Sequence, residues 1–364
     1  MFGELPKLLD RNYAIGFFLP AALIGGILWW ILCLFGLVSP VASVSSADQL
    51  LGGVVAIGVV WLSSILLMAI NYPAFRILEG YGERRNPLRL NLKRARRRFE
   101  MQALPALQRQ AAYEKAVTTQ SPLPHLPATH ATDLRQAIEL YPDDVKWILP
   151  TKFGNRMRAI EVYARAVYGL DSVPAWPRIQ GLLSAEFKEL LNASKAQLDF
   201  CVNLVAGGTI VAVVFAGLTV YQRHIPSLWP IAAAAAMIFV GYALAIQSVR
   251  QYGLYVRSAF DLYRGPLAVQ LGFDLPVQPE REQEMWRSVS RIFIYRAAKR
   301  FLDLREFRMK RDAPAPKGAD DGSEPDAITA AGSETTGRSR WLRLLRSVRF
   351  FFRGGSGKGE DIAE

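Results

Sequence analysis

Residues 201–221 read Cys201-Val-Asn-Leu-Val-Ala-Gly-Gly-Thr-Ile-Val-Ala-Val-Val-Phe-Ala-Gly-Leu-Thr-Val-Tyr221, without one Lys, Arg, Asp or Glu. A helix needs roughly 20 such residues to cross about 30 Å of hydrocarbon. A charge at the centre of a bilayer costs about 2.5–3.5 kcal/mol on insertion scales, so a run this long and this clean favours spanning over soluble burial. Working outward, three more runs share the property: about 13–38, 50–71 and 227–247. Their presence explains how a chain can be 51% apolar and still 21% charged, because the two kinds of residue are segregated. The first run exceeds the length of a signal-peptide core (about 7–15 residues) and reads as an uncleaved span. Pro20 inside it predicts a kink or break near one end.

The positive charges set the expected orientation. Of 44 Lys and Arg residues, only Arg223 falls in a turnaround between paired spans; the first turnaround, 39–49, carries none. Both termini and the central segment are therefore expected on the cytoplasmic side of a bacterial inner membrane. Outer loops this short leave recognition or chemistry to the cytoplasmic side or the membrane itself. Cys33 and Cys201 lie in or at the edge of spans and behave as small apolar residues, with no disulfide expected.

The fold class expected is an all-α membrane protein, with four transmembrane helices in two hairpins and a mostly helical cytoplasmic domain. The divisions are 1–12 (N-terminus), 13–72 (first hairpin), 73–200 (helical domain) and 201–247 (second hairpin). Helices packing on the central domain follow at 248–311, then a disordered linker at 312–338 and a basic amphipathic helix with its tail at 339–364. Within the domain, Asn86-Pro87 predicts a helix through 88–102, with further helices at 105–117, 133–141 and 153–168. The last is closed by Gly169, after which Pro174 and Pro177 are expected to prevent regular structure. Ser184 caps a helix that continues into the third span. Beyond the fourth span, a helix over 250–271 is expected to break near Gly265-Pro266, and 280–307 reads as one amphipathic helix. A short echo (Ala74-Phe75 with Pro87-Leu88, Ala259-Phe260 with Pro266-Leu267) hints at a two-fold repeat.

No phosphate-binding loop, zinc signature, nucleophile elbow or Cys/His cluster is present in the sequence, so no catalytic residue, metal site or cofactor is assigned. His125 and His130 fall in a Pro-rich loop and His224 in the outer turn, positions where histidines are usually solvated. The spans carry no acid suited to a proton or ion relay, which argues against a transporter. They do carry small-residue spacing at Gly208, Ala212 and Ala216, suited to close helix packing within the bundle or to a homo-oligomer.

The most distinctive stretch is Pro150-Thr-Lys-Phe-Gly-Asn-Arg-Met-Arg-Ala-Ile-Glu-Val-Tyr163, followed by Tyr168-Gly-Leu-Asp171 and Trp176-Pro-Arg178. On a helix, Glu161 stands within reach of both Arg158 and Arg165, and Asp171 and Arg178 are expected to fold back onto that group. Asn155, Arg158, Glu161, Arg165, Asp171, Trp176 and Arg178 are thus candidates for a partner-docking surface or polar pocket, with a purely structural charge network as the competing reading. These residues resemble an uncharacterised family of bacterial multi-pass membrane proteins bearing the pattern P-T-x-x-G-N-x-x-R-x-x-E-x-Y, then Y-G-x-D and W-P-R. The resemblance covers roughly 30 residues; it implies the membrane architecture and no particular activity.

Two basic features point to anionic membrane lipids. Arg89, Lys93, Arg94, Arg96, Arg97 and Arg98 follow the second span, where each cation near the head groups contributes about 1 kcal/mol. In 340–353, Trp341 and other apolar residues oppose Arg343, Arg346 and Arg349 around a helix, as in surface-lying membrane helices. Nucleic acid is the disfavoured reading of the +12 charge, since the positive-inside bias accounts for much of it. The functional expectation is a membrane-anchored scaffold, sensor or regulator with a cytoplasmic protein partner. The alternative is an oligomerising, membrane-perturbing effector in stress or phage defence. A weaker third is a lipid-modifying enzyme using Glu161 or Asp171 as base.

Overall fold

A computed structural model describes residues 10–38, 46–81, 91–295 and 304–309. The described residues are almost entirely helical. In order, α1 (Arg11–Tyr13) leads through a π-helical turn (Ala14–Phe18) into α2 (Leu19–Leu34), and α3 spans Ser46–Glu79. Next come α4 (Leu92–Gln102), α5 (Leu104–Thr118), α6 (His130–Leu140), α7 (Lys152–Tyr168) and α8 (Ser172–Leu182). The long α9 (Ala185–Gln222) and α10 (Trp229–Gln270) precede α11 (Pro279–Tyr295). Short 3-10 turns lie at Val145–Trp147 and Arg305–Phe307.

Four helical segments are long and apolar enough to cross a membrane: Arg11–Leu34, Gly52–Glu79, Ala185–Gln222 and Trp229–Gln270. α9 is the hub, packing on α2, α3 and α10. A Cβ on Gly208 would lie 2.8 Å from the Ala234 carbonyl oxygen, so the α9 and α10 backbones approach closely there. Ala212 is half-buried against the same core, whereas Ala216 is exposed. Ile24, Ile31, Val211, Phe215 and Met237 fill the space between these helices. By contrast, Val54, Val55, Ile57, Val59, Leu62 and Leu66 of α3 all stand exposed. An apolar face this long is foreign to a water-solvated monomer and ordinary for a lipid-facing helix.

The break expected near Pro20 takes a definite form. Pro20 has no N–H to offer the carbonyl four residues back, that of Gly16. The helix re-registers there as a π turn. Asn203 Nδ2, fully buried on α9, donates to the Gly16 oxygen at 2.8 Å, and its own Oδ1 faces Asn71 Nδ2 at 3.4 Å. Asn203→Leu therefore leaves a buried carbonyl without its cross-helix donor, at an expected cost of about 1–3 kcal/mol. Thermal melting in detergent should fall accordingly, and an unchanged midpoint would mean that the contact carries no net stability.

The second half of the described chain is a helical lobe. Its core gathers Phe153, Leu170, Ile179, Phe260, Met285 and Trp286 from α7, α8, α10 and α11. A smaller core of Ala95, Phe99, Ala103, Ala106, Ala137 and Ile148 unites α4, α5 and α6. α9 and α10 run unbroken from their apolar halves into this lobe, as expected for α9 from its Ser184 cap, whose Oγ accepts the Phe187 N–H.

Three expectations are corrected by the structure. Pro174 and Pro177 lie inside α8 instead of abolishing it. Asp171 caps the helix, Pro174 occupies its first turn where an N–H would have no helical acceptor, and the Arg178 guanidinium donates to the Pro174 carbonyl. Gly265-Pro266 does not interrupt α10, because Pro266 falls near its end and the carbonyl it frees is at Leu262, on an exposed side. Nor does one α-helix cover 280–307: α11 is described over Pro279–Tyr295, and Arg305–Phe307 is a 3-10 turn whose Phe307 carbonyl accepts the Asp274 N–H. The helix start at Asn86-Pro87, Arg89, the linker 312–338 and the basic segment with Trp341, Arg343, Arg346 and Arg349 lie outside the described residues.

Candidate functional site

The distinctive motif lies where α3 ends and α7 begins. Gly80, with φ of +89°, stops α3 beside Pro150. Thr151 then plays two parts: its Oγ accepts the Gly154 N–H at 2.8 Å, capping α7, and donates to the Leu78 carbonyl at 2.7 Å. A single hydroxyl so satisfies an orphan donor of one helix and an orphan acceptor of another. Asn155 closes the preceding loop, its amide pairing with both the N–H and the C=O of Leu149 at 2.7 and 2.9 Å. At the far end of α7, Gly169 takes the left-handed conformation at φ of +77°, and a Cβ there would meet the Gln283 oxygen of α11 at 2.7 Å. Tyr163 and Tyr168 both donate to Asp261 Oδ1 on α10, at 2.9 and 2.8 Å.

Most of the motif thus joins helices. Asn155 is buried and closes a turn. Asp171 caps α8 through the Val173 N–H. Trp176 packs on Phe260, and Arg178 lies 3.8 Å over the Phe293 ring, not on the Glu161 group as its place in the sequence suggested. The four candidates with chemistry still in play are Arg158, Glu161, Arg165 and Asp171. Arg158 pairs with Glu161 at 2.9 Å, while Arg165 turns to the Trp147 ring, 5.4 Å from its centroid.

Sequence reasoning missed the partners that α3 brings to this group. The apolar part of α3 ends near Asn71, and two further turns carry Arg76 and Glu79 about 12 Å onward to the start of α7. Glu79 is only 5% exposed and pairs with Arg76 at 3.5 Å. Burial pushes its carboxyl up to about 7, reinforced by the Glu161 charge and opposed by Arg76 and Arg158. Glu161, half-buried, is likewise pushed up by burial and by Asp171, with Arg158 and Arg76 pulling down. Tyr81 joins them, lying 3.7 Å from the Arg76 guanidinium carbon and 5.4 Å from that of Arg158. One signal in the sequence pointed this way: an acid in the last turn of a helix, directly before its terminating glycine, opposes the helix dipole and needs a local reason.

Beside this buried acid pair the surface is cationic and aromatic. Trp147, half-buried on its 3-10 turn, has the Arg158 and Arg165 guanidinium carbons each 5.4 Å from its ring and the Lys146 ammonium at 6.0 Å. Asp144 caps the turn and pairs with Lys146 at 2.7 Å. Farther off, Lys93, Arg94, Arg96, Arg97 and Arg98 are all exposed on α4, whose buried side is Ala95 and Phe99. His130 is buried, with Nε2 3.1 Å from Gln110 Oε1. The chain matches no family model, no curated protein and no solved structure.

Proposed function

We propose that the chain is a four-span bacterial inner-membrane protein, built as two hairpins with both termini and the helical lobe in the cytoplasm. In this reading it is a scaffold, sensor or regulator that presents a fixed surface to a cytoplasmic protein. The observation that carries it is the Trp147 cluster: an indole held on a capped turn and bracketed by three cations, beside the junction of α3 with α7. Aromatic and Arg side chains immobilised before binding are the usual anchors of a protein interface, and the surrounding charge suits an acidic partner segment. The unbroken α9 and α10 support a mechanical role, since displacement of the spans would move the lobe. The positive-inside bias supports the orientation, and the resemblance of residues 150–178 supports the bacterial membrane setting. The exposed α4 cations suit anionic lipid head groups.

The test is purification of the tagged protein from native membranes in mild detergent, with mass spectrometry of what accompanies it. A stoichiometric partner is expected, retained in moderate salt and lost in Trp147→Ala and in Arg165→Glu; the second, at an exposed position, should leave the melting temperature within about 2 °C. A homo-oligomer without a partner, leaking ions when overproduced, would replace this reading with the membrane-perturbing effector.

A further inference from the structure

A second polar group, unconnected with the motif's role at the α3–α7 junction, lies between α6, α7 and α10. There a shallow cleft, open to solvent, is lined by Glu139, Arg156, Val249, Arg250, Leu254 and Arg257, among others. Its charges do not balance. Glu139 is the acid lining the cleft, and both its oxygens are engaged, one by Arg250 Nε at 3.1 Å and the other by Arg135 Nε at 3.2 Å. Arg156 and Arg257 have backbone carbonyls as acceptors, Ile246 for the first and Ile138 for the second. The Nε of each is buried without a hydrogen-bond partner. Asp261, one turn beyond Arg257, already accepts both tyrosine hydroxyls. Burial, with Arg250 close by, pulls the Arg156 guanidinium below its usual range.

We infer that this cleft is a binding site for a phosphate-bearing anion, held by Arg156, Arg250 and Arg257. A tetrahedral phosphate offers several acceptor oxygens in different directions, which suits guanidiniums arriving from two helices better than a planar carboxylate does. An anion here would offset the mutual repulsion of the arginines. The position favours a lipid phosphate: Arg250 follows the end of the apolar run at Gln247 by roughly 5 Å of helix, the depth of a head group, and the exposed Leu254 gives the cleft an apolar edge. The lipid assignment rests on the membrane orientation proposed above; the anion site does not.

The full chain in phosphatidylcholine nanodiscs, with and without phosphatidylglycerol, provides the test, read as the shift in melting temperature. Inorganic phosphate is the second probe. Phosphatidylglycerol is expected to stabilise the native protein. Arg250→Gln, at an exposed position, and Arg156→Gln, whose amide can still donate to Ile246, should each weaken the response about tenfold, one charge-assisted hydrogen bond being lost. Lys115→Gln with Lys188→Gln, which removes exposed charge outside the cleft lining, should leave it within about twofold. Equal responses from the native protein and both cleft variants overturn the site. Full stabilisation by inorganic phosphate, with nothing added by phosphatidylglycerol, keeps the anion site and overturns the lipid source. Alkaline carbonate washing of membranes tests the membrane reading separately.

Discussion

Gly154→Val is expected to lower the stability of the protein by about 3–5 kcal/mol, the range of severe core disruption. A Cβ at this position would stand 2.2 Å from the Glu79 carbonyl oxygen, 2.9 Å from its carbon and 2.9 Å from Thr151 Oγ. Two of those atoms are backbone and the third is fixed by its two hydrogen bonds, so no flexible side chain can yield. The ends of α3 and α7 must separate instead. Overpacking alone costs about 1–3 kcal/mol, and separation would also break the Thr151–Leu78 bond and weaken the α7 cap, worth about 1 kcal/mol each. Since about 1 kcal/mol moves the midpoint of a domain this size by roughly 2–4 °C, melting in detergent should drop by about 10 °C or the yield of folded protein should collapse. Gly181→Ala on α8 is the matched control, because nothing lies within 4 Å of the added methyl; it should be neutral or slightly stabilising. A Gly154→Val protein melting like the native one would mean that the junction is loosely packed.

That junction also shows where reading the sequence stops being sufficient. The long apolar runs are legible because exclusion of charge over roughly 20 residues is a local property with a large energetic cause. The Ser184 cap is legible for the same reason, its Oγ accepting the N–H three residues ahead; the matching roles of Thr151 and Asp171 emerge only in the structure. Prolines mislead when their surroundings tolerate them, as in α8, where Asp171 caps the helix and the carbonyl that Pro177 frees belongs to the exposed Val173. The motif of 150–178 could be recognised as distinctive, but its roles depend on contacts with residues 78–79, 261 and 283. No periodicity connects those numbers. Glu161 could be read as a partner for either arginine from helical spacing; the structure pairs it with Arg158, and both arginines also reach Trp147, on a different element. The arginine cleft draws on residues about 100 positions apart in the chain, and a net charge of +12 hides such a group among many solvated cations.

Glu79 offers the sharpest test of how the buried acid pair behaves. Its carboxyl titrates at about 7 in the folded chain, against an ordinary value of 4.5. Between about pH 4.5 and 7 the folded state therefore holds a proton that the unfolded state has released, and stability must fall as pH rises through that window. The full penalty is present above pH 7, and at 1.36 kcal/mol per unit it amounts to about 3 kcal/mol. Glu79→Gln keeps the shape and removes the charge. Its melting temperature should match that of the native protein near pH 4.5 and exceed it at pH 8 by several degrees, with the two curves separating between those values. Loss of the Arg76 pair offsets little, since that guanidinium is 40% exposed and keeps the Tyr81 ring beneath it. Parallel melting curves across the whole range would show that Glu79 titrates normally and that its surroundings are wetter than its burial implies. Glu161→Gln separates the two causes. The Glu161 charge raises the Glu79 value, so without it the native pH dependence should shift downward but persist, because desolvation is the larger influence. A pH dependence abolished by Glu161→Gln would instead make repulsion between the two carboxylates the dominant cause.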